Sequence, residues 1–210
     1  MSLIDGFGRH WLKPLAFWAL AAPFLWLAWQ WALLLTGQPN AMGFNPAEYT
    51  HRLLGDTALR ILLISLAVTP FRDLTRWTPV MRIRRRIGLA AFWYAALHVF
   101  AYLALDLLFS LEKLWDDVVE RIYITLGMAS FVLPIPLAIT SFDRAIRAMG
   151  PKAWGRLHQL VYPLAILAVL HHGFMVKGHQ LMPWIHGGIL ALLLGYRLLR
   201  WRRKRAAATT

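Results

Sequence analysis

Residues 87–105 read IGLAAFWYAALHVFAYLAL, nineteen positions that carry one imidazole, His98, and no formal charge. A run of about 20 apolar residues is the length that crosses the hydrocarbon core of a bilayer as an α-helix. A second such run, QLVYPLAILAVL (159–170), is bracketed by His158 and His171. Inside a membrane an imidazole is costly unless it faces the bundle interior and has a partner there. Haem iron, which takes neutral imidazole nitrogens as axial ligands, is the partner this residue type suits best.

The rest of the chain agrees with a membrane reading. It is 210 residues long and 59% hydrophobic, with 11 Trp, and its mean hydropathy is +0.49. A net charge of +13 would suggest nucleic acid only if it were gathered on one water-facing surface, and here the basic residues lie in short runs between apolar stretches. Nucleic acid is therefore excluded as a partner and the lipid bilayer takes its place. The absence of cysteine excludes disulfides, thiolate-bound haem and cysteine-held iron–sulfur clusters.

Spans of the required length fall at residues 14–35, 47–69, 87–109, 122–140, 154–175 and 183–199. The expected fold class is all-α, a single six-helix integral membrane bundle over residues 1–210 with both termini on one side. The sequence ALAAP (19–23) has the small residues of a cleavage site, but the apolar run continues past it and reads as an uncleaved first helix. Eighteen of the 23 lysines and arginines fall on one side, in the N-terminal segment with Arg9 and Lys13, in loops 70–86 and 141–156, and in the tail from Arg197. Arg52, Lys113, Arg121 and Lys177 fall on the other. The arginine-rich side is expected to be cytoplasmic.

Helix rise assigns depths to the histidines. His98 lies roughly 18 Å beyond Arg86, and His171 roughly 20 Å beyond His158 on another helix. His98 and His171 thus reach a similar level in the outer half of the membrane, as a bis-histidine haem requires. His158 sits at an inner level with no His opposite. On an ideal helix His158 and His171 are about 140° apart and His158 and His172 about 40°, so phase alone prefers His172. Pro163, between them, is a reason to expect a kink or rewinding. His10, His51, His179 and His186, near span ends or in loops, are expected to be satisfied by water.

Three stretches, RRRIGLAAFWYAALHVFAYLALD (84–106), RIYITLGMASFVLPIPLAITS (121–141) and WGRLHQLVYPLAILAVLHH (154–172), together resemble the MsrQ (YedZ) family of haem-binding membrane subunits of bacterial methionine-sulfoxide reductase systems. More distantly the chain is similar to the membrane domain of ferric reductases and NADPH oxidases. The resemblance implies that His98, His158 and His171 are the haem-associated histidines, favouring His171 over His172. It also implies b-type haem and FMN as cofactors, and the bacterial inner membrane as location. Electrons would come from the quinone pool or a cytosolic flavin reductase and pass to MsrP, a periplasmic molybdopterin reductase, the chain itself being an electron-transfer subunit. The oxidase pattern of two histidines fourteen apart on helix three is not met, since Arg84 and Glu112 occupy those positions. One firmly held haem is expected from His98 and His171, with a second involving His158 as a further option.

Other residues are read against that site. Arg60, with no adjacent acid, needs a counter-charge, for which a haem propionate or Asp106 would serve. Arg84, Arg85 and Arg86 could contact an FMN phosphate or a protein partner. Gly88 and Gly127 are expected at close helix contacts, Pro134 and Pro136 should bend helix four, and Trp77, Trp115, Trp154 and Trp184 suit the interfacial belts. With no G-x-G-x-x-G after a strand, the chain has no Rossmann site for NAD(P)H. A stand-alone transmembrane ferric or quinone reductase is the alternative function. A His-relay transporter ranks third, because neither paired broken helices nor further intramembrane acids stand out.

Overall fold

The computed structural model describes residues 11–176 and 180–207; Arg9, His10, Lys177 and His179 lie outside them. Among the described residues there is helix and no strand. The order is α1 (Leu12–Leu35), α2 (Pro46–Thr75), a 3₁₀ turn (Thr78–Arg82), α3 (Arg84–Ala101), a π turn (Tyr102–Asp106), α4 (Leu111–Glu120), α5 (Ile122–Val132), α6 (Pro134–Ile139), α7 (Asp143–Leu157), a 3₁₀ turn (His158–Leu160), α8 (Val161–Met175) and α9 (Met182–Ala206). These elements make six helical spans long and apolar enough to cross a membrane: α1, α2, α3 with its π turn, α5 with α6, α7 with α8, and α9.

The second span begins at Pro46 beneath an Asn45 cap whose side chain accepts from the Glu48 N–H, so the helix starts well before its most apolar part. The fourth span breaks where Pro134 removes an N–H, as its sequence suggests. The fifth begins earlier than expected, because the polar segment from Asp143 is itself helical up to a break at Gly150. Gly150 has φ +74°, a conformation glycine adopts without penalty, and Pro151 follows it. Helix α4 was not expected at all.

Helix α2 is the most enclosed span and packs along α3, while α5 packs along α8. Two prolines inside spans free backbone groups that have no water to turn to, and neighbouring helices satisfy them. Pro70 leaves the Leu66 carbonyl without its helical donor, and Arg197 of α9 donates to it at 2.6 Å. Beside Pro23 in α1, the hydroxyl of Tyr94 is inserted into the ladder, accepting from the Phe24 N–H at 3.0 Å and donating to the Leu20 carbonyl at 2.7 Å. Tyr94 is 5% exposed. Tyr94→Phe leaves a buried donor and acceptor unpaired, and we expect a loss of about 1–3 kcal/mol, measurable as a lowered unfolding midpoint in detergent.

The basic segments gather at one end of the bundle. There Asp73 at the end of α2 accepts from Tyr196 (2.9 Å) and pairs with Arg200 (3.2 Å), and Arg85 pairs with Asp143 of α7. At the opposite end Asp117 pairs with Arg121 at 3.2 Å and raises its already high pKa further.

Candidate haem site

Helices α2, α3, α6 and α8 surround a cavity of about 1050 Å³, at the top of the roughly 300–1,000 Å³ range of small-molecule sites. It runs from Arg84, Trp154 and His158 at the basic end to Asn45, Arg52 and Met175 at the other. Much of its wall is small, including Gly55, Ala58, Gly88, Ala91, Ala95 and Ala168, which leaves room for a broad planar group. Gly88 therefore opens space in the cavity and does not mark a helix contact: a Cβ there would meet nothing within 4 Å.

His98 on α3 and His171 on α8 meet across this cavity with ring centroids 6.3 Å apart and planes at 72°. Two metal–nitrogen bonds of about 2 Å, plus about 1.2 Å from each nitrogen to its ring centre, place bis-imidazole centroids about 6.4 Å apart. The observed spacing matches. The nitrogens are prepared for the same role. Nδ1 of His98 faces the His51 carbonyl at 3.2 Å, and Nδ1 of His171 faces the Tyr123 carbonyl at 2.7 Å. A carbonyl can only accept, so each Nδ1 carries the proton and each Nε2 keeps its lone pair for a metal.

Two glycines permit this arrangement. A Cβ at Gly127 would lie 2.8 Å from Cε1 and Nδ1 of His171, and one at Gly55 would lie 3.2 Å from Cε1 of His98. Gly127 is thus a close-packing position as expected, and the group it admits is the imidazole itself. Gly55 carried no sequence signal beyond its place one turn from His51.

His158 borders the basic end of the same cavity. Its Nδ1 donates to the Trp154 carbonyl at 3.1 Å, Trp154 stacks on its ring at 3.8 Å, and Ser141 Oγ lies 3.5 Å from Nε2. It shares the ligand-ready tautomer with His98 and His171 but, among the described residues, has no imidazole opposite. The 3₁₀ turn starting at His158 advances the chain by about 120° per residue and narrows its angle to His171 to about 80°. The same turn brings His172 to about 20°, so phase still prefers His172, and it is the partners of the two rings that favour His171. His172 turns to Asp56 (3.7 Å) and His186 (centroids 5.1 Å).

Three expectations require correction. Arg60 does have an acid beside it, Asp56 one turn earlier on the same helix face at 3.2 Å, an i,i+4 pair. Asp106 instead lies 3.1 Å from His51 Nε2, so His51 is a partner inside the bundle and not a water-satisfied loop residue. His186 is 5% exposed, buried because α9 packs against α2 and α8. Of the arginine cluster, Arg84 and Arg85 line the cavity, whereas Arg86 turns to α1 and donates to the Lys13 carbonyl at 3.3 Å.

Fold and cavity together define a multi-pass α-helical membrane protein built around a pair of facing imidazoles. Residues 54–169, more than half of the chain, match the family model described as ferric reductase like transmembrane component. The chain is 45% identical to the protein-methionine-sulfoxide reductase heme-binding subunit MsrQ of Xanthomonas euvesicatoria pv. vesicatoria, over 94% of this chain and 89% of that one. It is 41% identical to the protein of the same name from Caulobacter vibrioides, over 96% and 90%, and 46% identical to that from Rhodospirillum rubrum, over 85% of each. The chain belongs to the MsrQ family, within the ferric reductase-like transmembrane proteins.

Proposed function

We propose that this protein is the haem-binding electron-transfer subunit of a bacterial inner-membrane methionine-sulfoxide reductase system. The observation that carries this reading is the His98–His171 pair: two neutral imidazoles at iron-bridging distance, each locked by a carbonyl in the tautomer that exposes Nε2. The heme-binding relatives support the same cofactor. A b-type haem, if bound there, would be held by His98 and His171 and would supply one-electron chemistry. The chain's own residues hold and orient the group, and the helices around it exclude water.

In this reading the arginine-rich end and both termini are cytoplasmic, and residues 1–210 form one functional unit. Electrons enter from the quinone pool or a cytosolic flavin reductase and leave to a periplasmic molybdopterin reductase of the MsrP type. His158, with Arg84 and Arg85 at the cavity's basic end, is placed on the entry side, where a second haem or an FMN would sit. His158→Ala is expected to leave the bis-histidine absorption intact while slowing reduction by the cytoplasmic-side donor at least tenfold. If the variant instead loses the low-spin signal of the wild type, the pairing of His98 with His171 is wrong.

The function is tested with reconstituted protein. Haem reduced by quinol or by a flavin reductase should be reoxidised only when the periplasmic reductase and a sulfoxide substrate are both present. Equally rapid reoxidation by ferric chelates alone would assign a stand-alone reductase instead.

A further inference from the structure

Helix α4 joins the third and fourth spans, and its ten residues, LEKLWDDVVE, divide completely by character. At 100° per residue, Leu111, Leu114, Trp115, Val118 and Val119 occupy an arc of about 140°, and Glu112, Lys113, Asp116, Asp117 and Glu120 occupy an opposite arc of about 140°. Burial then splits the circumference into three sectors. Leu114, Val118 and Asp117 are half-buried on the side toward the bundle. Leu111, Trp115 and Val119 form an i, i+4, i+8 stripe that is 74%, 67% and 64% exposed. The remaining four charged residues are exposed as well.

The helix is tied to the end of the bundle that holds the His98–His171 pair. Asp117 accepts from Tyr102 of the π turn and pairs with Arg121. The Thr125 hydroxyl donates to the Val118 carbonyl at 2.6 Å, two residues from the Tyr123 carbonyl that holds His171. The turn before α4 continues the apolar stripe. Leu108 and Phe109 are both exposed and adopt φ of +49° and +61°, a left-handed conformation that is costly for bulky L-residues. That cost turns large apolar groups outward, next to Phe100 on the lipid-facing side of α3.

We propose that α4 and the Leu108–Phe109 turn lie in the plane of the lipid interface, with the 111/115/119 stripe seated in the acyl–headgroup boundary and the acidic arc facing water. An amphipathic helix with one bundle sector, one apolar sector and one charged sector fits that position, where each sector meets its own medium. The occupant of the stripe is lipid because the stripe is continuous with the lipid-facing surface of the spans at both ends: Phe109 and Phe100 before it, Ile122 after it. The helix so anchored steadies the segment from which Tyr123 orients His171.

The chain has no cysteine, so a single introduced thiol is unique. Spin labels placed by Leu111→Cys, Trp115→Cys and Val119→Cys, and by Glu112→Cys, Asp116→Cys and Glu120→Cys, are read in liposomes of the full-length protein for collision with oxygen and with a water-soluble nickel chelate. The first three should show an oxygen-to-nickel accessibility ratio several-fold above that of the second three. Equal ratios in the two sets would overturn the proposal, as would a first set shielded from both reagents, which would assign the stripe to a protein contact. Unchanged haem absorption in each variant establishes that the bundle is intact; if labelling the stripe were to unfold it, Trp115→Phe with a label at Val119 gives the same reading.

Discussion

Replacing either His98 or His171 by alanine is expected to remove the low-spin haem from the purified protein, with haem content falling at least tenfold and electron transfer to the periplasmic reductase falling with it. Each ring supplies half of a two-point clamp whose spacing, 6.3 Å between centroids, already matches the bound state. Loss of one leaves the other imidazole facing an enlarged cavity. His172→Ala is the control: its ring faces Asp56 and His186, so haem content should stay near the wild-type level. Haem per protein, from pyridine haemochromogen assay, checks all three variants. If His172→Ala bleached the protein and His171→Ala did not, the two would exchange roles.

The second large effect is expected at Gly127, where the space a Cβ would take is filled by the His171 imidazole. In Gly127→Ala the new methyl would sit 2.8 Å from two ring atoms of His171, closer than carbon atoms tolerate, and the ring cannot retreat without breaking its 2.7 Å bond to the Tyr123 carbonyl. Perturbing the groups that orient a metal-bound histidine typically costs about 10–100-fold in affinity, and Gly127→Ala should fall in that range. Gly55→Ala, with a 3.2 Å contact to His98, should cost less. Gly195→Ala, where a Cβ meets nothing within 4 Å, should be silent. Haem titration of the three apo-proteins gives the order; equal affinities across the series would mean that His171 is not held as described.

Much of this was legible in the chain itself. Six apolar runs appear as six spans, and His98 and His171, matched in level by helix rise, bring their rings within 6.3 Å of each other. What the sequence concealed is lateral. Helical phase pointed to His172, whereas which of the two rings faces His98 depends on which neighbouring helix offers a carbonyl and which offers Asp56. Tyr94 and Arg197 read as packing and charge, yet each repairs a proline break in a different helix, a relation with no signature along the chain. Helix α4, at ten residues, is too short to cross a bilayer, and its only signature in the chain is the five-and-five division of apolar and charged residues.

Whether one haem iron is held between His98 and His171 is read from the electron paramagnetic resonance of the oxidised wild-type protein at low temperature. Were haem iron held between imidazole planes at 72°, its spectrum would be low-spin with large g anisotropy, and this is the expected result. A purely high-spin signal, or a folded protein from haem-sufficient cells with no haem signal, would contradict the account.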